Sequence, residues 1–126
     1  MNKEEEIKAI DIQLFAIIFL VVSGIISFLI TYNQKLDMEN KKTIFNSKES
    51  LKITKFNRIL ALIIALVFLF VNIKLYNLSK DEGEDLKSYT LQIIASILVV
   101  ISGIIALYVV TLSETENISD VENPLV

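Results

Sequence analysis

Three long apolar segments, Ile12–Thr31, Ile59–Leu78 and Leu91–Leu112, constrain this chain of 126 residues more than any other feature. Each is about 20 residues long, which is the length that a helix needs to cross a hydrocarbon core of roughly 30 Å. Each segment is apolar on every side of such a helix, whereas a surface helix of a soluble domain carries one apolar stripe. The pattern predicts an all-α fold, a bundle of three transmembrane helices.

The first segment illustrates how strongly the composition favours insertion. Fourteen residues between Ile12 and Ile30 are Leu, Ile, Val or Phe. At about −0.4 kcal/mol for each residue, their transfer into the bilayer contributes up to roughly −6 kcal/mol. One Gln and a few Ser and Gly residues do not offset that gain, so we expect a membrane protein.

The helix ends are marked by short polar motifs. We expect the first helix to begin near Glu5 and to continue past Thr31 through Tyr32–Met38. Asn46 followed by Glu49 matches a capping box, which predicts that the second helix begins near Ser47. Gly83 predicts the end of the second helix and a tight turn into the third.

The basic residues predict the orientation of the chain in the membrane. The first connection, residues 32–58, carries seven of them, and the opposite side carries five. This bias favours a basic cytoplasmic loop at 32–58, a short outer turn at 79–90 and an acidic disordered tail at 113–126. The N-terminus is then outside and the C-terminus cytoplasmic, in a single domain of the inner, or cytoplasmic, cell membrane.

Small and polar side chains recur at helical spacing within the apolar segments. The first and third segments share Gln, Ala and Ser-Gly-Ile-Ile at a constant offset of 79 residues, through duplication or a common packing requirement. Lipid gives helices no hydrophobic drive to associate, so close approach and polar contacts must supply it. We therefore predict a helix-packing face composed of Gln13, Ala16, Ser23, Ser27, Ala61, Ala65, Asn72, Gln92, Ala95, Ser102 and Ala106.

The direction of each helix gives this prediction more detail. Because the second helix runs opposite to the other two, Asn72 is expected at the same depth as Gln13 and Gln92. The three carboxamides then form one hydrogen-bonded cluster. Alternatively, each reaches interfacial water independently.

The connection before the second apolar segment is rich in cations. Six of them alternate with apolar residues, and each cation near an anionic leaflet contributes about 1 kcal/mol to membrane binding. They are predicted to contact anionic lipid headgroups, unless they serve only as a topology signal. No recognisable module surrounds them, so nucleic acid is not an expected partner. The cations are Lys41, Lys42, Lys48, Lys52, Lys55 and Arg58.

The apolar segments contain little that performs chemistry. The chain has no Cys and no His, and Lys74 is the one charged residue within the three segments. No phosphate-binding Gly loop or His-Glu metal motif is present in the sequence. We expect no catalytic residue, no metal site and no cofactor, and hence not an enzyme.

Three parts of the chain resemble a known kind of protein: DIQLFAIIFLVVSGIISFLITYNQKL (Asp11–Leu36), FNRILALIIALVFLFVN (Phe56–Asn72) and LQIIASILVVISGIIALYVV (Leu91–Val110). They are similar to small uncharacterised three-span integral membrane proteins of low-GC Gram-positive bacteria. The resemblance implies a bacterial inner membrane and a three-helix bundle, with no activity and no functional residues to transfer.

Two functions are compatible with these features. The first is a non-catalytic accessory or assembly subunit, which contacts a membrane-protein partner or forms a homo-oligomer through its bundle and loop. The second is a holin-like or oligomeric pore former. The tail, with Glu114, Glu116, Asp120 and Glu122, is acidic, whereas the tails of holins are typically basic, and this difference favours the first function.

Overall fold

The computed structural model describes residues 3–115, which form three α-helices and no strand. Helix α1 is Lys3–Met38, α2 is Ser47–Asp81 and α3 is Lys87–Thr115. All three helices are long and apolar enough to cross a membrane. The predicted all-α architecture with three candidate spans is confirmed. Residues 116–126 of the predicted acidic tail lie outside the described part of the chain.

Helix α2 lies between the other two helices and contacts both. An ion pair joins Lys74 Nζ of α2 to Glu5 Oε2 of α1 at 2.9 Å, near the beginning of α1. At the other end of α2, Lys55 Nζ lies 3.2 Å from Glu114 Oε2 of α3. The Cα atoms of α1 and α3 stay more than 8 Å apart within residues 3–115. The helices therefore form an open arrangement around α2 instead of enclosing a common interior.

Buried residues recur at intervals of seven along the helices. In α1 they are Ala9, Ala16, Ser23 and Ile30. A repeat of seven keeps one seam of a helix against its neighbour when the two cross with a left-handed twist. Helix α2 has two such seams, one on each side, because it packs against two helices. Asn57, which bonds to α1, shares its seven-residue spacing with the buried Ser50, Ile64 and Val71. Asn72, which bonds to α3, shares its spacing with Arg58, Ala65 and Ser79.

The helix ends follow the predicted motifs. Asn46 caps α2 through a hydrogen bond of 2.8 Å from Glu49 N to Asn46 Oδ1. The reciprocal bond, from Asn46 N to Glu49 Oε1, is 3.1 Å, so the capping box is complete and α2 begins at Ser47. Gly83 follows the end of α2 with a φ of +71°, a left-handed conformation that glycine adopts without steric cost. Both predictions are confirmed.

One buried amide of α1 holds the connection between α1 and α2. Asn33 is 5 % exposed, and its Oδ1 accepts hydrogen bonds of 2.8 Å from the backbone N–H groups of Ile44 and Phe45. Its Nδ2 donates to the carbonyl of Phe45 at 3.2 Å. The chain reverses through Asn40, which has a φ of +58°. Three bonds from one side chain thus fix residues 44 and 45 against the end of α1.

Replacing this amide tests its contribution to the fold. We expect Asn33→Leu to destabilise the protein by roughly 1–3 kcal/mol, since two backbone donors lose their acceptor in a partly buried place. Denaturation of the detergent-solubilised protein measures the effect, and faster proteolysis within residues 39–46 should accompany it. Gln34→Leu is the matched control, because the side chain of Gln34 forms no hydrogen bond within residues 3–115. Equal stability of the two variants would contradict the assignment.

Candidate functional site

The contact between α1 and α2 is centred on a buried carboxamide, Asn57, which is 4 % exposed. Ser23 Oγ donates to Asn57 Oδ1 at 2.7 Å, and Asn57 Nδ2 donates to Ser27 Oγ at 2.8 Å. Away from water, polar groups must find partners within the protein. The amide satisfies this requirement by bonding to two hydroxyl groups one turn apart on α1. The bonds therefore fix the register of α1 on α2.

The contact between α2 and α3 contains a second polar link. Asn72 Nδ2 donates to Ser96 Oγ at 2.5 Å, and Ser96 Oγ donates to the carbonyl of Gln92 at 2.9 Å. Ser96 is 8 % exposed. Asn72 Oδ1 lies beside these groups and accepts no hydrogen bond from residues 3–115. One acceptor of the link is therefore available to a further donor.

The predicted cluster of three carboxamides is wrong. Glu5 pairs with Lys74, and Ser23 bonds to Asn57. Two residues that face each other on α1 and α2 therefore have residue numbers whose sum is about 80. Gln13 therefore lies beside about residue 67 of α2, roughly 7 Å along the axis from the level of Asn72. Gln92 takes part in the α2–α3 link through its backbone carbonyl, and its side chain is exposed. A hydroxyl on α3 is the partner of Asn72 instead.

A groove of about 460 Å³ opens along α2 between α1 and α3. The α2 face that was predicted from the sequence lines it, together with part of the predicted α3 face and one residue of α1. The groove is mostly apolar and has amide and hydroxyl groups towards one end. Its lining residues are Leu20 of α1, Ala61, Ile64, Ala65, Phe68 and Asn72 of α2, and Gln92, Ala95, Ser96 and Val99 of α3.

No protein-family model matches this chain, and no curated protein and no solved structure is significantly similar to it. The resemblance to three-span membrane proteins of low-GC Gram-positive bacteria stays a prediction. The groove and the surfaces beside it are the features of the structure that bear on function.

The residues of the predicted packing face differ in burial. Ala16, Ser23, Ala65 and Ala106 are buried, whereas Gln13, Ser27, Ala61 and Asn72 are half-buried. Gln92, Ala95 and Ser102 are exposed, and of these Gln92 and Ala95 line the groove.

Helix α3 presents a neighbouring face to α2. Ser96, Gly103 and Val110 lie along it, and a Cβ atom added to Gly103 would lie 3.2 Å from Leu62 Cδ1. This face is rotated by about one residue from the predicted one. The same interval of seven separates Ser96 from Gly103 and Ala95 from Ser102, so spacing alone does not select between the two faces.

The predicted headgroup contacts also fall into two groups. Lys41, Lys42, Lys48 and Lys52 are exposed, and so is Ile44 in the same connection as Lys41 and Lys42. Lys55 is half-buried and pairs with Glu114. Arg58 is 5 % exposed and lies inside the protein, so its side chain is not placed to contact lipid headgroups.

The first turns of α1 carry the charged partner of Lys74. The hydrogen bond and the positive charge of Lys74, with a further contribution from Lys8, hold the pKa of Glu5 below its usual value. Lys74 therefore has a carboxylate partner on the neighbouring helix at the end of α2. Within residues 3–115, no group of three or more Asp, Glu, His or Cys residues is arranged to hold a metal ion.

Asn57 and Gln13 offer a direct test of which amide matters for helix packing. We expect Asn57→Leu to lower stability by about 1 kcal/mol, since each interhelical hydrogen bond in a membrane contributes about 0.6 kcal/mol on average. Gln13→Leu should leave stability unchanged, because that side chain forms no hydrogen bond within residues 3–115. Unfolding in mixed micelles with increasing dodecyl sulfate measures both. A larger loss for Gln13→Leu would contradict the assignment.

Proposed function

We propose that this chain is a multi-pass protein of the bacterial cytoplasmic membrane that acts as a non-catalytic accessory or assembly subunit. Its task is to bind a transmembrane helix in the groove between α1 and α3. The groove is the observation that carries the proposal. The N-terminus lies outside and the C-terminus in the cytoplasm.

The groove lies along the apolar part of α2. Along α2 it extends from Ala61 to Asn72, which is about 16 Å. A second, more polar pocket shares Gln92 and Ala95 with it and extends to Lys87 at the start of α3. Lys87 and Ser88 of this second pocket precede the apolar segment 91–112, so the second pocket extends beyond the apolar part of α3.

The chemistry of the lining favours a transmembrane helix as the occupant of the groove. Ala61, Ala65 and Ala95 have short side chains, which allow a second helix backbone to come close. Asn72 Oδ1 provides a hydrogen-bond acceptor at the more polar end. The polar groups buried between the helices bond to one another, as Asn57 does to Ser23 and Ser27. Their positions are consistent with a role in helix packing.

The connection between α1 and α2 supports the proposed orientation. Lys41 and Lys42 are exposed in the connection whose residues 44 and 45 bond to Asn33, and Lys48 and Lys52 are exposed in the first turns of α2. Such a surface suits the anionic headgroups of the cytoplasmic leaflet, where each cation contributes about 1 kcal/mol. We propose that Lys41, Lys42, Lys48 and Lys52 make these contacts.

The orientation is testable because the natural chain has no cysteine. Single cysteines at Ser47 and Gly83 should react with a membrane-impermeant maleimide from opposite faces, Gly83→Cys in intact cells and Ser47→Cys after the cells are opened. Both positions are exposed, Ser47 as the first residue of α2 and Gly83 in the connection between α2 and α3. The reverse pattern would overturn the orientation, and labelling of both from one face would overturn the crossing of α2.

The accessory role is tested by photo-crosslinking in cells that express the full chain. A photoreactive amino acid at Ala61, which lines the groove, should give a protein adduct of defined mass. The same probe at Ile59, which is 40 % exposed and outside the groove lining, is the matched control and should label lipid.

Growth and membrane potential should stay normal while the chain is expressed. Abrupt loss of the potential with lysis would instead support the holin-like pore. Lipid labelling from both Ala61 and Ile59 would overturn the proposed docking of a helix in the groove.

A further inference from the structure

The first turns of α2 carry three lysines on one face. Lys48, Lys52 and Lys55 follow one another at intervals of four and three residues, which places them on the same side of a helix. We call these three residues the lysine face. Lys55 Nζ lies 3.2 Å from Glu114 Oε2 of α3, so one end of the lysine face binds a carboxylate of α3.

Helix α2 extends further than the described part of α3 at this end of the protein. Because Lys55 pairs with Glu114, Thr115, the last described residue of α3, lies beside about residue 54 of α2. The first seven residues of α2, 47–53, extend about 10 Å beyond that level. Lys48 and Lys52 are exposed on this part and form no ion pair within residues 3–115. Most of the lysine face therefore lies beyond the described end of α3.

The chain that follows Thr115 has the opposite charge. Residues 116–126, here called the acidic segment, contain Glu116, Asp120 and Glu122 and no Lys or Arg. Residues 32–58, by contrast, contain seven basic and three acidic side chains. The acidic segment follows directly on the residues of α3 that lie beside this basic region. Its charge is therefore complementary to that of the lysine face.

The acidic segment is long enough to reach the whole lysine face. Along α2, Lys48 lies seven residues from Lys55, which is about 10 Å. An extended chain spans roughly 3.3 Å for each residue, so the six residues from Glu114 to Asp120 span up to about 20 Å. Carboxylates at three positions of the segment are thus within reach of both Lys48 and Lys52.

We propose that the acidic segment binds the lysine face and extends the contact that Glu114 begins at Lys55. The segment then acts as an internal counter-ion for Lys48 and Lys52, and anionic lipid has to displace it before these lysines contact headgroups. The competition with lipid rests on the headgroup contacts in the proposed function. The ion pairs of the segment with the lysine face do not depend on those contacts.

Carbodiimide crosslinking of the full chain in vesicles of neutral phosphatidylcholine tests the contact. The reagent joins an amine to a carboxylate only where the two groups touch. We expect peptide mapping by mass spectrometry to find amide bonds from Lys48 and Lys52 to the acidic segment. The bond between Lys55 and Glu114 is the positive control. Lys80, exposed at the other end of α2, should form no bond to the segment.

Addition of phosphatidylglycerol to the same vesicles tests the competition. The yield of the crosslinks at Lys48 and Lys52 should fall by about fivefold, the factor that corresponds to one cation at an anionic surface. A mixture of isotope-labelled and unlabelled chains shows whether each crosslink lies within one copy, as the proposal requires.

A variant with a neutral segment gives a second measurement. Glu116→Gln, Asp120→Asn and Glu122→Gln together keep the length of the segment and remove its charge. In neutral vesicles, acetylation of the Lys48 and Lys52 amines should become faster by up to about fivefold, the factor for one exposed ion pair, because an ion pair keeps an amine protonated. The matched control, Glu84→Gln in the connection between α2 and α3, should leave both rates unchanged.

The outcomes distinguish the contact from its competition with lipid. A crosslink of Lys55 to Glu114 with none at Lys48 or Lys52, crosslinks between copies, or unchanged acetylation in the neutral variant would refute the contact. Crosslinks that phosphatidylglycerol does not reduce would refute the competition and the headgroup role of Lys48 and Lys52, while the proposed role of the groove would stand. Crosslinks within one copy that phosphatidylglycerol reduces, with faster acetylation of the neutral variant, support the proposal.

Discussion

The hydrogen bonds of Asn57 to Ser23 and Ser27 are the constraint on which the arrangement of the helices depends. Most of the surface of these helices is apolar and has no preference for one register over another in lipid. A buried carboxamide does have a preference, since it must lie opposite hydroxyl groups. The contact of Asn57 therefore selects one axial position of α1 against α2, and the ion pair of Glu5 with Lys74 agrees with it.

This register leads to the open groove. With α1 fixed on one seam of α2 and α3 fixed on the other through Asn72 and Ser96, the outer helices do not meet. The remaining strip of α2, from Ala61 to Asn72, is bordered by α3 and by Leu20. If α2 had polar residues on one seam only, its hydrogen bonds would not hold α1 and α3 apart. The proposed partner surface thus arises from the same hydrogen bonds that hold the helices together.

Much of the fold could be predicted from the sequence, because the signals were local. The apolar segments gave the three helices, the Asn46–Glu49 capping box gave the start of α2, and Gly83 gave its end. The register was not predictable in the same way. Asn57 precedes the apolar segment 59–78 and reads as part of a polar loop, and the contacts of Asn33 depend on how the chain folds back on itself.

The candidate site was predicted in part for a similar reason. The α2 residues Ala61, Ala65 and Asn72 do line the groove. The face of α3 that contacts α2 differs by about one residue from the predicted one, because helical spacing alone does not distinguish two adjacent faces when both contain small residues. Both faces repeat at seven, so the burial of Ser96 and Val110 and the closeness of Gly103 to Leu62 are what distinguish them.

The axial offset of α1 has a mechanical consequence for the surrounding bilayer. The middle of its apolar segment lies beside about residue 58 of α2, whereas the middle of the α2 segment lies ten residues further on, about 15 Å away. In a flat bilayer of uniform thickness, the middles of both apolar segments cannot lie at the midplane at once. Tilting of α1 or local thinning of the bilayer accommodates such an offset, at a fraction of a kcal/mol for each Å. If all three helices cross a bilayer, this offset couples their packing to the elasticity of the lipid.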